Sequence, residues 1–484
     1  MISLSSLTLR NGEMRGAGIK MPAEIKMSPT QSLTERFAKS AGQRNSKLQS
    51  DSNSIEDNSN KNYQDNKNLQ IAVKKSVKHK KQLRKQTVSA AEQRWIFDPW
   101  VLIFAVAIVV IGMIMVSSAS ISIAERNNGE PFYYLYRQLL ATGLGLGLGM
   151  LILITPIYVW QKIGPWFLIL GIMLLIAVLI PGIGKEINGS ARWISLGIFN
   201  LQVSELVKLS MIIYLAGYLL RQHDSLKGSS VKGFAMPMLV LAIVAVLLLL
   251  EPDLGAAVVI SMTALGMLFI GGVRLWQFLL LILLMSICVY LLVIFEPYRL
   301  ERLQSFMNPW EDPYNTGFQL TQSLIAFGRG ELTGVGLGNS IQKLFYLPEA
   351  HTDFLFAVLA EELGMLGSVL VILLFAALVG RIFVLAGRAE KLKQFYSAYM
   401  MYGLGIWIGL QAFVNIAVNM GALPTKGLTL PLMSYGGSSM MVMCMVIALI
   451  LRAEHELRFK ITFGSSWIQD FFASFDETKN GRKF

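Results

Sequence analysis

Between Glu296 and Asp353 the chain reads EPYRLERLQSFMNPWEDPYNTGFQLTQSLIAFGRGELTGVGLGNSIQKLFYLPEAHTD, a segment dense in acids, bases, amides and glycines. If this protein does chemistry, the polar atoms for it lie here or point here. Elsewhere, Glu205 and Lys208 stand three apart inside an apolar run, hence on one helix face. Charge inside hydrocarbon costs at least ~2.5–3.5 kcal/mol per residue, so this pair needs a reason. It is either a self-neutralising ion pair or the lining of a wet cavity, and its place near a helix end favours the cavity. Gln411, Asn415 and Asn419 follow at a spacing of four, a polar stripe suited to interhelical hydrogen bonds or to a cavity wall. Glu361 and Glu362, and Glu251 with Asp253, add acids in the same half of the membrane. Finally PTKGLTLPLMSYGGSSM, residues 424–440, breaks helical periodicity and exposes Ser434, Ser438, Ser439 and backbone amides, which suit an anion such as phosphate.

These residues must be positioned by membrane-spanning helices. The chain has 484 residues, 54% of them hydrophobic, with a mean hydropathy of +0.51. A span needs roughly 20 apolar residues. Ten runs qualify, near 99–119, 135–155, 164–182, 203–221, 234–250, 254–272, 275–295, 354–380, 396–420 and 432–452. The expected fold is an all-α integral membrane protein, with a large extracytoplasmic loop, 296–353, between helices 7 and 8. Met1 to Phe97 holds 18 Lys and Arg against 8 Asp and Glu, ten of the twelve net positive charges. The positive-inside rule makes that a cytoplasmic marker and a membrane topology signal rather than a nucleic-acid interface. With ten spans both termini then lie inside, and Arg221, Lys227, Arg274, Arg381, Arg388, Lys391 and Lys393 fall on the same face.

Three regions follow: a disordered basic cytoplasmic tail over 1–95, a ten-helix domain over 96–455, and a cytoplasmic C-terminal tail over 456–484. Lys74 to Lys85 carries a basic cluster that sets topology or binds anionic lipid. No apolar stretch near Met1 has the form of a cleaved signal peptide. The connection 183–202 has Trp193, Ile194, Leu196, Ile198 and Phe199 beside Arg192, Asn188 and Ser190, and is expected to lie along the outer interface. Cys288 and Cys444 both fall inside spans, so buried packing is expected of each and a disulfide framework is not. No GxxxxGK[ST] loop is present, which argues against ATP-driven transport.

Several stretches together resemble the SEDS family (shape, elongation, division and sporulation): NGSARWISLGIFNLQVSELVKL at 188–209, EPDLGAA at 251–257, NPWEDP at 308–313, GFQLTQSLIAFGRGELTGVGLGNSIQKLFYLPEAHTDFLFAVLAEELG at 317–364 and LPTKGLTLPLMSYGGSS at 423–439. They run in order over about 95–460, and the wording FGRGE and GNSIQKL is similar to the division type. The resemblance implies a peptidoglycan glycosyltransferase at the outer face of the bacterial cytoplasmic membrane, at the division septum. Its substrate would be lipid II, a disaccharide-pentapeptide on undecaprenyl pyrophosphate. Its partners would be a class B penicillin-binding protein and other division proteins. A lipid II flippase and a non-catalytic scaffold are the rival readings.

The resemblance also makes Asp312 the candidate acid–base residue. Residue chemistry alone leaves Glu311 equal to it, and Asp-Pro is an ordinary turn signal. Lys208 is the expected partner of Asp312 or of phosphate, with Glu205 beside it, and Arg192 is a second phosphate candidate. Gln319, Gln322 and Ser323 could hydrogen-bond sugar or pyrophosphate. Glu349, His351 and Asp353 would contact substrate or metal, or scaffold the loop. Ser438 and Ser439 would bind phosphate oxygens. The metal ligands are not specified by the sequence, and magnesium or manganese is the candidate cation. Asn200 departs from division-type relatives that carry a basic residue there.

Overall fold

The computed structural model describes residues 97–463 apart from 188–189, 196, 198–199, 223–231, 274, 295–300, 302–303, 316, 345 and 426. The N-terminal tail, residues 464–484, Asn188, Lys227, Arg274 and the Cys288 side chain therefore lie outside the described residues, while 456–463 continue the last helix.

Among the described residues ten long helices coincide one for one with the ten apolar runs: α1 Pro99–Asn128, α2 Tyr133–Ile154, α3 Ile157–Val178, α4 Val203–Arg221, α5 Lys232–Leu250, α6 Leu254–Ile270, α7 Leu275–Ile294, α9 Leu355–Lys391, α10 Phe395–Asn419 and α11 Gly437–Phe463. A shorter helix, α8 Phe318–Gly330, lies within the long loop. Seven of the ten are long and apolar enough by themselves to cross a membrane, and Ala235–Leu250 and Leu254–Ile270 are shorter apolar helices. Chain alternation puts the 296–353 loop, the 179–202 and 251–253 connections and the 420–436 segment at one end of the bundle, here the loop end.

Helix α4 is the central element, buried along nearly all its length. Helices α3, α6 and α10 pack around it. The α2 and α11 helices approach closely: a Cβ on Gly145 would stand 3.0 Å from the Met441 Cα and from Cys444. Ala141, Gly145 and Gly149 thus give the small-residue seam by which helices approach in lipid. Cys444 packs there as a thiol. At the far end, buried Asp98 caps α1 by accepting from the Trp100 and Val101 amides at 3.1 Å. Arg381 of α9 and Arg458 of α11 converge on the same carboxylate, tying three helix ends together.

Two expectations change. The 183–202 connection, read as one amphipathic segment, folds as a three-stranded antiparallel sheet, β1 Gly184–Ile187, β2 Ser190–Ser195 and β3 Asn200–Gln202. Trp193 pairs with both Lys185 and Gln202. The run Ser-Ala-Arg-Trp-Ile-Ser suits a short strand, and Gly197, at φ 83°, lies in the connection from β2 to β3. The last span also begins at Gly437 rather than near 432, because Leu432 takes φ 62° and Gly436 precedes the first helical turn.

Candidate functional site

Asp312 sits on a stiff turn at the loop end. The Gly317 amide donates to the Asp312 carbonyl at 3.1 Å, and the Glu311 amide to the Asn308 carbonyl at 3.2 Å. The Thr321 hydroxyl of α8 bonds the Pro309 carbonyl at 3.1 Å. A Cβ on Gly317 would collide with the Pro309 and Asp312 carbonyls, so the closure requires glycine. The Asn315 amide donates to Asp312 Oδ1 at 2.9 Å and orients the half-exposed carboxylate. Glu311 is exposed and takes a bond from Asn308 at 3.2 Å. Both acids accept one asparagine amide bond, and they differ in burial: Asp312 is partly covered and Glu311 is open to solvent.

Beneath the loop a buried polar column crosses the bundle. Lys208, 2% exposed, donates to Glu205 Oε1 at 2.7 Å and to Gln411 Oε1 at 2.8 Å, and its ammonium stands 5.2 Å from the Trp407 ring. The Trp407 indole also donates to Gln411 at 2.8 Å. Gln411 then donates to the Thr429 carbonyl at 3.0 Å, and the Thr429 and Ser439 hydroxyls are 3.2 Å apart. Lys208 is therefore engaged with Glu205 and Gln411 rather than with Asp312. A cavity beside it, lined by Met211, Ile260, Thr263 and Trp407, has room for about one water.

Asn415 and Asn419 extend the column as a clamp. Both donate to the Asp353 carbonyl, at 2.8 and 2.9 Å, and Asn415 also reaches the Leu428 carbonyl at 2.6 Å. Ser323 is fully buried and its hydroxyl bonds the Asn419 carbonyl at 2.7 Å. It docks α8 onto the C-terminus of α10, in place of the sugar contact expected of it. Gln319 and Gln322 lie half-buried on the same helix.

A second buried network surrounds Glu361 and Glu362, two acids noted in the sequence whose partners went unread there. Glu361 and Glu362 are each 0% exposed. Glu361 accepts from Arg329 at 3.0 Å, from the Ser340 hydroxyl, and from the Ile341 and Gln342 amides at 3.1 and 3.3 Å. Glu362 accepts from Lys343 at 2.7 Å and from Ser118 of α1 at 2.7 Å. Here α9 is broken: Gly364 has φ 66° and ψ −163°. The freed backbone pairs with the loop, Val335 and Gly336 amides to the Glu361 and Glu362 carbonyls at 3.0 Å, and the Met365 amide to Glu331 at 2.9 Å. Such irregular backbone is tolerated at membrane depth only where protein covers it. Cβ atoms on Gly330 or Gly334 would land on the Ala360 and Glu362 carbonyls. Lys343 carried no spacing signal, since its partner lies beyond a helix start and next to a break.

The remaining candidates are divided. Arg192 of β2 donates to the Glu251 and Pro252 carbonyls, at 3.2 and 2.5 Å, and so braces the α5–α6 turn. Burial, then the nearby Asp253 charge, pushes Glu251 up to about 8, against the pull of Arg192. Among the described residues both oxygens of this buried carboxyl lack a partner, as a neutral acid can tolerate better than a charged one. His351 lies between Tyr134 and Tyr435, with ring centroids 4.6 and 5.4 Å away. Burial lowers its pKa, with Glu349 opposing, so it is a neutral ring in an aromatic packet. Glu349 is exposed and bonded by Thr352 at 2.8 Å. Gln138 of α2, also unread in the sequence, clamps the Ser434 carbonyl and Gly436 amide at 3.1 and 3.2 Å. Ser438 is buried at the start of α11, without a partner among the described residues.

Fold and site together define a helical membrane protein whose buried polar column meets an ordered, acid-bearing loop at one end. The family profile described as "Cell cycle protein", covering FtsW, RodA and SpoVE, matches residues 99–459. The chain is 53% identical over 373 residues to the "Probable peptidoglycan glycosyltransferase FtsW" of Coxiella burnetii, covering 77% of this chain and 99% of that one. It is 56% identical over 362 residues to the protein of the same name from Nitrosococcus halophilus, covering 75% and 93%. Among solved structures it is similar to a chain from "Structural coordination of polymerization and crosslinking by a peptidoglycan synthase complex", at 31% identity and a TM-score of 0.61, covering 75% and 98%. It is also similar to the rod shape determining protein RodA of Thermus thermophilus, at 29% identity and a TM-score of 0.55, covering 74% and 97%. The chain belongs to the FtsW/RodA/SpoVE family, integral membrane proteins of the bacterial inner membrane.

Proposed function

We propose that this chain is a peptidoglycan glycosyltransferase that polymerises lipid II during septal wall synthesis, with Asp312 as its general base. The loop end faces outward and both termini are cytoplasmic. The acceptor's 4-hydroxyl attacks the anomeric carbon of the donor strand. A C1–O bond to pyrophosphate breaks, an O4–C1 bond forms with inversion, and the O4 proton passes to Asp312. Base assistance of this kind contributes ~10²–10⁴-fold.

The observation that carries this reading is the Asp312 carboxylate, oriented by Asn315 on a glycine-closed turn. Its scaffold is docked to the column through Ser323 and Asn419. Departing pyrophosphate would draw on the α11 N-terminal amides with Ser438 and Ser439. Gln319, Gln322 and Asp353 would line the donor side, with Arg192, Glu349 and His351 shaping its wall, while the buried Lys208–Glu205 pair would brace the bundle beneath them. Among the described residues no three His, Cys, Asp or Glu side chains form a metal cage. A magnesium or manganese ion, if used, would be held by the substrate's phosphates with the Asp353 carboxylate, leaving Asp312 free to act as base. A class B penicillin-binding protein is the proposed partner, within a larger set of division proteins. Purified chain with that partner should convert lipid II to glycan polymer. Translocation of lipid II without polymer would sink the enzyme reading in favour of a flippase, and division sustained by an Asp312→Asn chain that still binds the partner would favour a scaffold.

A further inference from the structure

The turn that holds Asp312 also carries two large rings that the fold leaves uncovered. Trp310 is 58% exposed and Tyr314 is 84% exposed. They stand two residues before and two after Asp312, so the proposed base lies between them in sequence. Among the described residues neither ring makes a hydrogen bond or an aromatic pair. The turn is closed through Gly317 and Thr321, so hiding the rings would mean undoing it. Exposed aromatic surface on a stiff element is the mark of a recognition site.

We propose that Trp310 and Tyr314 form the platform for the acceptor sugar, the pyranose ring whose hydroxyl gives up its proton. A β-linked gluco-configured pyranose carries its substituents equatorially. Each face is then a patch of axial C–H bonds, apolar but rimmed by hydroxyls. Such a face stacks on an aromatic ring, while the indole N–H and phenol O–H reach the rim. The carboxylates of Glu311 and Asp312 on the same turn accept hydroxyl protons from a neutral sugar and repel an anionic lipid headgroup. That charge argues against the commoner use of Trp and Tyr as interfacial anchors. The inference rests on the reading of Asp312 as base.

The test uses the full-length chain in detergent and in nanodiscs, with its transpeptidase partner and lipid II as substrate. Trp310→Ala and Tyr314→Ala should each raise the KM for lipid II about 3- to 10-fold, with kcat changed less and the unfolding midpoint unmoved. Trp310→Phe should recover most of the loss. In an Asp312→Asn background, binding of fluorescent lipid II should weaken by the same factor on adding Trp310→Ala. An unchanged KM and binding in both alanine variants overturns the proposal. So does a defect that appears only in nanodiscs and scales with anionic lipid, which would make the rings membrane anchors. Normal polymerisation by Asp312→Asn alone would instead remove the base reading, whatever the rings do.

Discussion

Replacing Lys343 with methionine isolates the energy that holds the loop to the bundle. The Lys343 ammonium lies 2.7 Å from Glu362 and 2.9 Å from Ser118, with side chains 7% and 0% exposed for the Lys343–Glu362 pair. Methionine keeps the stem and removes the charge, leaving Glu362 with one neutral donor, the Ser118 hydroxyl. Breaking a buried pair from one side costs about 3–5 kcal/mol, because the other charge stays buried and uncompensated. A second change, Glu362→Gln, removes that stranded charge while the amide still accepts from Ser118. The double variant should therefore recover at least ~2 kcal/mol relative to the sum of the single losses. Equilibrium unfolding by SDS titration in mixed micelles reads both quantities. A Lys343→Met loss below ~0.5 kcal/mol, or strict additivity in the cycle, would refute the argument that this pair anchors the loop.

Further expectations follow from the same geometry. Gly334→Ala must place a Cβ against the Glu362 carbonyl at φ +80°, so the loop should detach from the α9 break and protease cleavage between 331 and 343 should rise sharply, as limited proteolysis would show. Glu251→Gln bears on pH. The folded pKa, about 8, is raised above the ordinary 4.5, so the wild-type carboxyl contributes stability below about 4.5 that is lost as pH rises through about 8. The glutamine variant should gain on wild type across that window in unfolding midpoints measured from pH 4 to 9, and a constant difference would refute it. Gln411→Leu strips Lys208, Trp407 and the Thr429 carbonyl of a shared partner. It should cost about 3–9 kcal/mol in the same SDS titration, counting ~1–3 kcal/mol for each of the three buried groups stranded.

The spans were legible because apolar runs of membrane length admit few alternatives, and α1–α7 and α9–α11 fall where those runs lie. The Glu205–Lys208 pair was legible from its i,i+3 spacing, and the Asn415–Asn419 stripe from its spacing of four. What a single helix face could not reveal was the far partner: Asp353 and Leu428 carbonyls for the asparagines, Gln411 for Lys208. The Gly364 break was invisible because EELGMLG reads as ordinary helix, and its positive φ is imposed by loop backbone pairing from residues 331–336. The sheet at 184–202 was read as one amphipathic segment, since strands of three to six residues leave almost no periodicity to count. Residue chemistry left Asp312 level with Glu311. Resemblance raised it, and its partial burial on the closed turn gives that preference a geometric basis.

The central claim is that Asp312 takes the acceptor's proton. Its most direct test is the single-turnover rate of lipid II polymerisation by Asp312→Asn against wild type, both purified with the partner and matched for unfolding midpoint. Asparagine keeps the shape of the turn and can still meet Asn315, but it cannot accept a proton. A rate ~10²–10⁴-fold lower with lipid II binding retained is the result expected, and a rate within about threefold of wild type would contradict it.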